Sequence, residues 1–506
     1  MSVLTSLARV HAYELGRAVP IATRRHVHVS DRPLVFVPLS MAGEANAPLA
    51  CLVGSTPESP TMLVVPQPRN RDLRFRFAES LADVVLAYID SFTMSMEQDR
   101  DQSVFTDAPQ LVVANPSAAA FTRLLGRSTR LRRTDGPYPV APSVPLLGRW
   151  LTYFAELTER PGSSTMLVMT TVLAAHWATG QSPIEDLNLA ALVGWIDPWE
   201  GLTGPQAAAE AEDPLRWPPA GPATDPTFDN EVLAPLIRAY DLAVDDAGRA
   251  RAVAALEQAL HGQMEPTWRL LWRAIELMRK LPPGSSVERR WLRDRHQFTR
   301  QVEFWRDGGP PQPRRDHAVA AAQRLHWLER ELEEYTVDRA FDDDLVMAEF
   351  RLSGEAFVGR VTWRDPTRLD TSGRRRRLRP HIVVATTDPV RLEVGDTVRS
   401  AVRPNQTARI VALSSPSPAD PAHTDEPTST RPVVEVTLEL SGGMGRSLTP
   451  EPGSVPELGE RLCYSSLVRE PLRPVPFPSR EQTPWTHGGP PEEYVPTDED
   501  AGEDWS

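Results

Sequence analysis

Near residue 345 the chain changes its apolar periodicity, and that change constrains the fold more than any single residue type. Downstream, β-branched-rich runs at 346–352, 356–363, 381–387, 397–402, 407–413 and 433–440 are separated by Gly, Pro, Asp and Asn turns. Val394-Gly395-Asp396 reads as a tight turn between two of them. Six or seven strands in about 120 residues predict a small β-barrel or sandwich over 345–468. The insertion 414–432 holds five prolines and seven Ser/Thr residues, so a disordered loop is expected there.

Upstream, 145–340 carries helical spacing. Runs at 146–157, 163–177 and 183–195 are punctuated by Pro161-Gly162 and Gly180, and a Pro/Ala/Gly-rich loop is expected at 198–227. Helices resume near Asn230 and are expected at 247–261 and 267–279. Two charged helices follow at 286–306 and 316–338, split by Gly308-Gly309-Pro310-Pro311. Their stripes of Trp291, Phe298, Val302 and Trp305, then Leu325, Leu328 and Leu332, suit an antiparallel pair. Residues 1–140 mix the two periods. Apolar runs at 34–39 and 49–53 flank a turn and read as a hairpin, with a third strand at 62–66. A helix is expected at 73–92, then a strand at 111–114 that runs into an Asn115 cap with Pro116 behind it.

The expected fold is therefore multidomain α+β. An N-terminal mixed α/β domain (1–140) precedes a central helical region (145–340), a C-terminal small β-barrel (345–468) and a disordered, Pro-rich, acidic tail (471–506). No stretch approaches 18 uninterrupted apolar residues and no signal-peptide pattern begins the chain, so a cytoplasmic protein with no membrane partner is expected. Cys51 and Cys463 cannot build a zinc site or a disulfide framework, and free thiols are the reading. The net charge is −13, of which the tail from Pro471 contributes −6, with two arginines against eight acids; the body carries −7.

Among 55 basic residues there is a single lysine, Lys280, in Met278-Arg279-Lys280-Leu281-Pro282-Pro283. With no Gly-rich loop before it, it reads as a helix C-terminal cation. A P-loop ATPase, a protein kinase and a pyridoxal-phosphate enzyme each need a lysine elsewhere, so those classes are excluded, and no cofactor is expected. GxSxG, HExxH and papain-like Cys motifs are absent from the sequence.

The strongest positive feature lies inside the β region. Arg374, Arg375, Arg376 and Arg377 are consecutive, followed by Arg379 and preceded by Arg360, Arg364 and Arg368. Between 360 and 409 twelve arginines face five acids, a local excess of +7 inside an acidic chain. Arginine clusters on a barrel face suit phosphate backbones, so these eight residues are the candidate contacts to DNA or RNA. A solvated loop, or a patch covered by a protein partner or the chain's own acidic tail, remains an open reading of the same residues. Seven acids among the last fifteen residues allow the tail to compete for this patch, and a compositionally disordered tail with no role is the equal alternative.

Further along, Arg379-Pro380-His381-Ile382-Val383-Val384-Ala385, Asp388-Pro389 and Leu392-Glu393-Val394-Gly395-Asp396-Thr397-Val398 are followed by Glu439-Leu440-Ser441-Gly442-Gly443-Met444-Gly445-Arg446, Pro452-Gly453 and Cys463-Tyr464. This pattern resembles the small β-barrel inserted in superfamily 1 helicases related to the RNA-decay type. The resemblance covers about a fifth of the chain and is one of strands and turns. It implies a helicase-associated barrel whose motor, absent here with the Walker lysine, comes from a separate helicase or ATPase partner. A non-catalytic accessory or adaptor protein is thus the leading expectation.

Other readings stay open: a lysine-independent enzyme with its site near Asn115 or His176, or a pure protein–protein scaffold. His176 precedes Glu185 and Asp186 across a turn, an acid/base spacing that helix capping also explains. His26-Val27-His28 puts two rings on one face of an extended segment, but without further ligands no metal site is expected. Asp342-Asp343-Asp344 reads as a domain linker, since consecutive side chains point in different directions.

Overall fold

The computed structural model describes residues 3–44, 47–199, 201–218, 221–414, 432–467 and 476–482. Two compact units emerge, one built on Thr5–Leu332 with the described C-terminal residues, the other on Glu333–Arg473.

In the larger unit, helix α1 (Val3–Leu15) leads to strands β1 (Leu34–Ser40) and β2 (Pro48–Gly54), which pair antiparallel, with β3 (Thr61–Val64) beside β2. After helix α2 (Arg71–Asp90) comes a separate two-stranded hairpin, β4 (Met96–Asp99) and β5 (Gln102–Phe105). Strand β6 (Leu111–Val113) then pairs in parallel with β1, and β7 (Met166–Val168) in parallel with β6, giving the order β3-β2-β1-β6-β7. All seven residues of β1 are buried, as a central strand covered on both faces requires. Leu34 and Phe36 face one layer and Val35, Val37 and Leu39 the other. Helices α2, α3 (Pro116–Thr129) and α4 (Ser143–Leu157) cover the first face through Phe77, Leu81, Phe121, Leu147 and Phe154. Asn115 caps α3, its side chain accepting the Ala118 amide, with Pro116 at the first helical position as read from sequence.

Several expectations in this unit are corrected. Residues 163–177 are β7 followed by the short helix α5 (Met169–Ala174), because parallel pairing with β6 takes an apolar run whose local pattern suits either state. After helix α6 (Leu189–Ile196), the expected 198–227 loop contains helix α7 (Gly204–Ala211), begun by Gln206 accepting the Thr203 amide. After helix α8 (Ala234–Leu242), the expected pair of helices at 247–261 and 267–279 is one, α9 (Asp246–Lys280), with Pro266 inside it. Leu256, Leu260, Met264, Leu271, Ile275 and Met278 form a continuous buried stripe against the second face of the sheet. That burial, at ~1.5–3 kcal/mol per large apolar side chain, outweighs the ~3 kcal/mol of an internal proline. Lys280 closes α9, as read from sequence. Helix α10 (Val287–Arg306) does not use its stripe to pair with α11 (Ala318–Asp342). Phe298 packs on Phe105 and Trp150, and Trp305 on Trp150, while Leu325 and Leu332 of α11 remain exposed.

In the smaller unit, residues 346–352 are not a strand but part of helix α12 (Asp344–Ser353). Asp343 caps it by accepting the Leu345 amide, so the acidic trio ends α11, caps α12 and begins it, and Gly354 ends α12 at φ 84°. A small β-barrel is present, as expected; it is closed, and its sixth strand is Arg461–Ser465 rather than the expected run at 346–352. Strands β8 (Ala356–Asp365), β11 (His381–Thr386), β14 (Val434–Ser441), β13 (Arg403–Ser414), β12 (Thr397–Ser400) and β15 (Arg461–Ser465) neighbour one another in that order around it. Its interior holds Phe357, Ile382, Val384, Ile410, Leu438 and Tyr464. Between β8 and β11 the chain makes a small hairpin, β9 (Leu369–Asp370) with β10 (Arg377–Leu378). Most of the 414–432 insertion (415–431) and most of the acidic tail (471–475 and 483–506) lie outside the described residues.

Candidate nucleic-acid interface

The β9–β10 hairpin sorts the eight candidate arginines. Leu369 and Leu378, cross-strand partners, rest on the barrel core and fix the hairpin's base. Asp370 accepts both the amide and the hydroxyl of Ser372, at 2.9 and 2.7 Å, which closes the start of the turn. Those two bonds, with Arg368 and Arg379 nearby, hold its carboxyl below the ordinary carboxylate range. Arg374, Arg375, Arg376 and Arg377 then project as exposed side chains with no ion-pair partner among the described residues.

The other four are anchored to differing degrees. Arg364 pairs with Glu457 at 2.6 Å and donates to the Pro456 carbonyl. Arg368 pairs with Glu439 at 2.8 Å and donates to the Arg379 carbonyl, tying the two ends of the hairpin together. Arg379 donates to the neighbouring Leu378 carbonyl, and Arg360 stays exposed with a single long bond to the Gly459 carbonyl at 3.3 Å. The structure therefore makes a free tip of four guanidinium groups on an internally braced base.

Two further residues belong to this face. Trp363 is 51% exposed on β8, its cross-strand neighbour being Val383. A bulge between Val361 and Trp363 shifts the register, so Trp363 faces out with Arg360 while Val361 stays in the core. Arg461 of β15 sits directly opposite Arg360, and both are exposed. Like charges at a cross-strand pair repel, and a phosphate lodged against both would relieve that repulsion. The arginine cluster of the sequence already includes Arg360; nothing local in the sequence marks the bulge or the Arg360–Arg461 pairing.

The alternative sites read differently. Asn115 is spent on its helix cap and on the Gly221 carbonyl. His176 lies 1% exposed, its Nδ1 donating to the Val172 carbonyl at 2.7 Å and its Nε2 accepting the His26 amide at 3.0 Å, a neutral core histidine. Asp186 is bound by Thr179, Gln181 and Arg9, and Glu185 caps the Ser182 amide, so neither serves His176. His26 stacks on His176, and His28 stacks on Trp291 with ring centroids 4.2 Å apart. Among the described residues no cluster of His, Cys, Asp and Glu is arranged to hold a metal. Both cysteines are free, and burial raises both thiols, Cys463 to about 11. No helix among the described residues is long and apolar enough to cross a membrane.

A polar cleft of about 450 Å³ opens in the larger unit. The β4–β5 tip contributes Asp99, Arg100 and Asp101, the turn after α4 contributes Arg160, and α10 contributes Arg293, His296 and Arg300. His296 Nε2 donates to Asp99 at 2.6 Å. None of these residues is conspicuous in the sequence, since they come from three distant segments. No protein-family model, curated protein or solved structure matches the chain.

Proposed function

We propose that the smaller unit is a nucleic-acid docking module of a non-catalytic accessory protein, with the β9–β10 hairpin as its contact. The observation that carries this reading is the run of four exposed arginines, Arg374 to Arg377, with no ion-pair partner among the described residues. Solvated guanidinium groups held on a braced turn suit contact with a polyanion, and binding them releases counterions. Trp363, between Arg360 and the hairpin on β8, adds an aromatic face on which a base can stack. A separate helicase or ATPase, the partner implied by the resemblance of the barrel segment, would supply the motor that the single lysine denies this chain.

Salt-titrated binding of the full chain to single- and double-stranded DNA and RNA tests the proposal. Replacing Arg374 to Arg377 together by Ser should weaken every nucleic acid similarly. The slope of log K against log salt should drop by up to ~3, since each phosphate contact contributes ~0.7–0.9. Undetectable binding at low salt, or an unchanged slope in the quadruple variant, would refute it.

A further inference from the structure

We infer that the cleft between the β4–β5 tip and α10 is a binding site for a small phosphate-class oxyanion, independent of the barrel. Four guanidinium groups, Arg100, Arg160, Arg293 and Arg300, line it against the carboxylates of Asp99 and Asp101, and with Glu331 paired to Arg160 an excess of +1 remains before His296 is counted. Arg293, His296 and Arg300 are spaced by three and four residues, so they occupy one face of α10. Two of the lining groups are oriented by partners of their own. Asp99 holds His296, and Glu331 accepts two bonds from Arg160 Nε at 2.8 and 2.9 Å. Guanidinium groups brought together from three segments suit an anion with several equivalent oxygens. The volume, about 450 Å³, is that of a small-molecule site.

The backbone supplies the second observation. Among the described residues Arg100 is the one non-glycine with positive φ, at 53°. A two-residue hairpin tip of this kind favours Asn or Gly, and an arginine there is strained. Arg100 has no ion pair among the described residues that would compensate, yet its side chain lines the cleft. Strain held at a ligand-lining position is accounted for when the side chain serves the ligand rather than the fold.

The two roles separate in one variant. In the full chain, Arg100→Gly should leave thermal stability equal or higher, because Gly takes the left-handed turn without Cβ strain, which offsets its larger entropy loss on folding. The same change should weaken inorganic phosphate by roughly tenfold or more through loss of a charge-assisted contact. Arg300→Ser, at an exposed position, should weaken it comparably. Phosphate affinity is read by titration calorimetry and by ligand-dependent melting, against chloride at matched ionic strength. The joint Ser variant of Arg374 to Arg377 should bind phosphate as the wild type does. The inference is overturned if phosphate gives no saturable signal beyond chloride, if Arg100→Gly binds unchanged, or if the barrel variant abolishes the signal.

Discussion

A buried carboxyl and a half-buried imidazole that share one serine should give the larger unit opposing pH dependences, which single substitutions would expose. Asp294 of α10 accepts the Ser164 amide at 2.7 Å, and the Ser164 hydroxyl accepts the His28 amide at 2.8 Å. Burial raises the Asp294 carboxyl from 3.8 to about 6, against the opposing pull of the Ser164 amide, Arg160 and Arg293. Burial lowers His28 from 6.5 to about 4, helped by Arg25 and Arg295 and opposed by Asp31. The signs differ. Asp294 binds its proton more tightly when folded, so it adds stability as pH falls through about 6, complete below 3.8. His28 binds its proton less tightly when folded, so stability present above 6.5 is lost as pH falls towards about 4. Between pH 7 and pH 5, linkage gives a gain of about 1 kcal/mol from Asp294 and a loss of about 2 kcal/mol from His28. Asp294→Asn should therefore steepen the acid loss of stability by about 1 kcal/mol over that window, and His28→Gln should remove about 2 kcal/mol of it. Urea unfolding followed by tryptophan fluorescence reads this unit, because Trp363 is the one tryptophan of thirteen within Glu333–Arg473. Comparing each variant's pH 7 to pH 5 difference with that of the wild type cancels the surface carboxylates. If both variants track the wild type across the window, the burial assigned to these two groups is wrong.

Trp363→Ala should leave barrel stability nearly unchanged, since the ring is 51% exposed, yet cost ~1–3 kcal/mol of single-stranded binding; equal affinity of variant and wild type would remove Trp363 from the interface. Gly359→Ala should unfold the barrel, because a Cβ there would collide with the Ala385 carbonyl oxygen and a Val384 methyl; a native far-UV spectrum and melting curve would contradict that packing. Asp388 takes Arg351 on both oxygens, at 2.7 and 2.9 Å, and the Val358 amide at 2.8 Å. Burial opposes its ionisation, but these partners hold it below the ordinary range, so its contribution is present at neutral pH and fades in acid. Asp388→Asn should then cost the barrel about 2 kcal/mol at pH 7 and less at pH 3, read by urea melts of far-UV signal.

What the sequence discloses depends on whether the deciding interaction is local. The β1–β2 hairpin, the Asn115 cap, α10 and five of the barrel's six strands follow from period and turn chemistry, and each is where those signals put it. Residues 163–177 and 346–352 are apolar runs too short for periodicity to separate helix from strand. The first is decided by an open parallel edge on β6 and the second by the Asp343 cap and Gly354, which bracket a helix. Pro266 misleads for the converse reason: its local cost is real, but the stripe on α9 spans it.

The same division runs through the sites. The arginine tip is legible because four adjacent letters make it, and the hairpin needs only Leu369 and Leu378 to display it. Trp363 faces outward only because a single bulge inverts the strand's phase, and no residue type at 361–363 announces a bulge. The cleft is the extreme case. Arg160 and Arg300 are two of many arginines until α4, the β4–β5 tip and α10 bring them to one place. Arg100 is unremarkable as a letter; only its φ of 53° reveals that the turn holds a residue it does not prefer. A composition this rich in arginine therefore hides sites rather than marking them. The informative arginines are those whose geometry goes against local preference, Arg100 at its turn and Arg360 facing Arg461, because there the fold alone does not account for the residue.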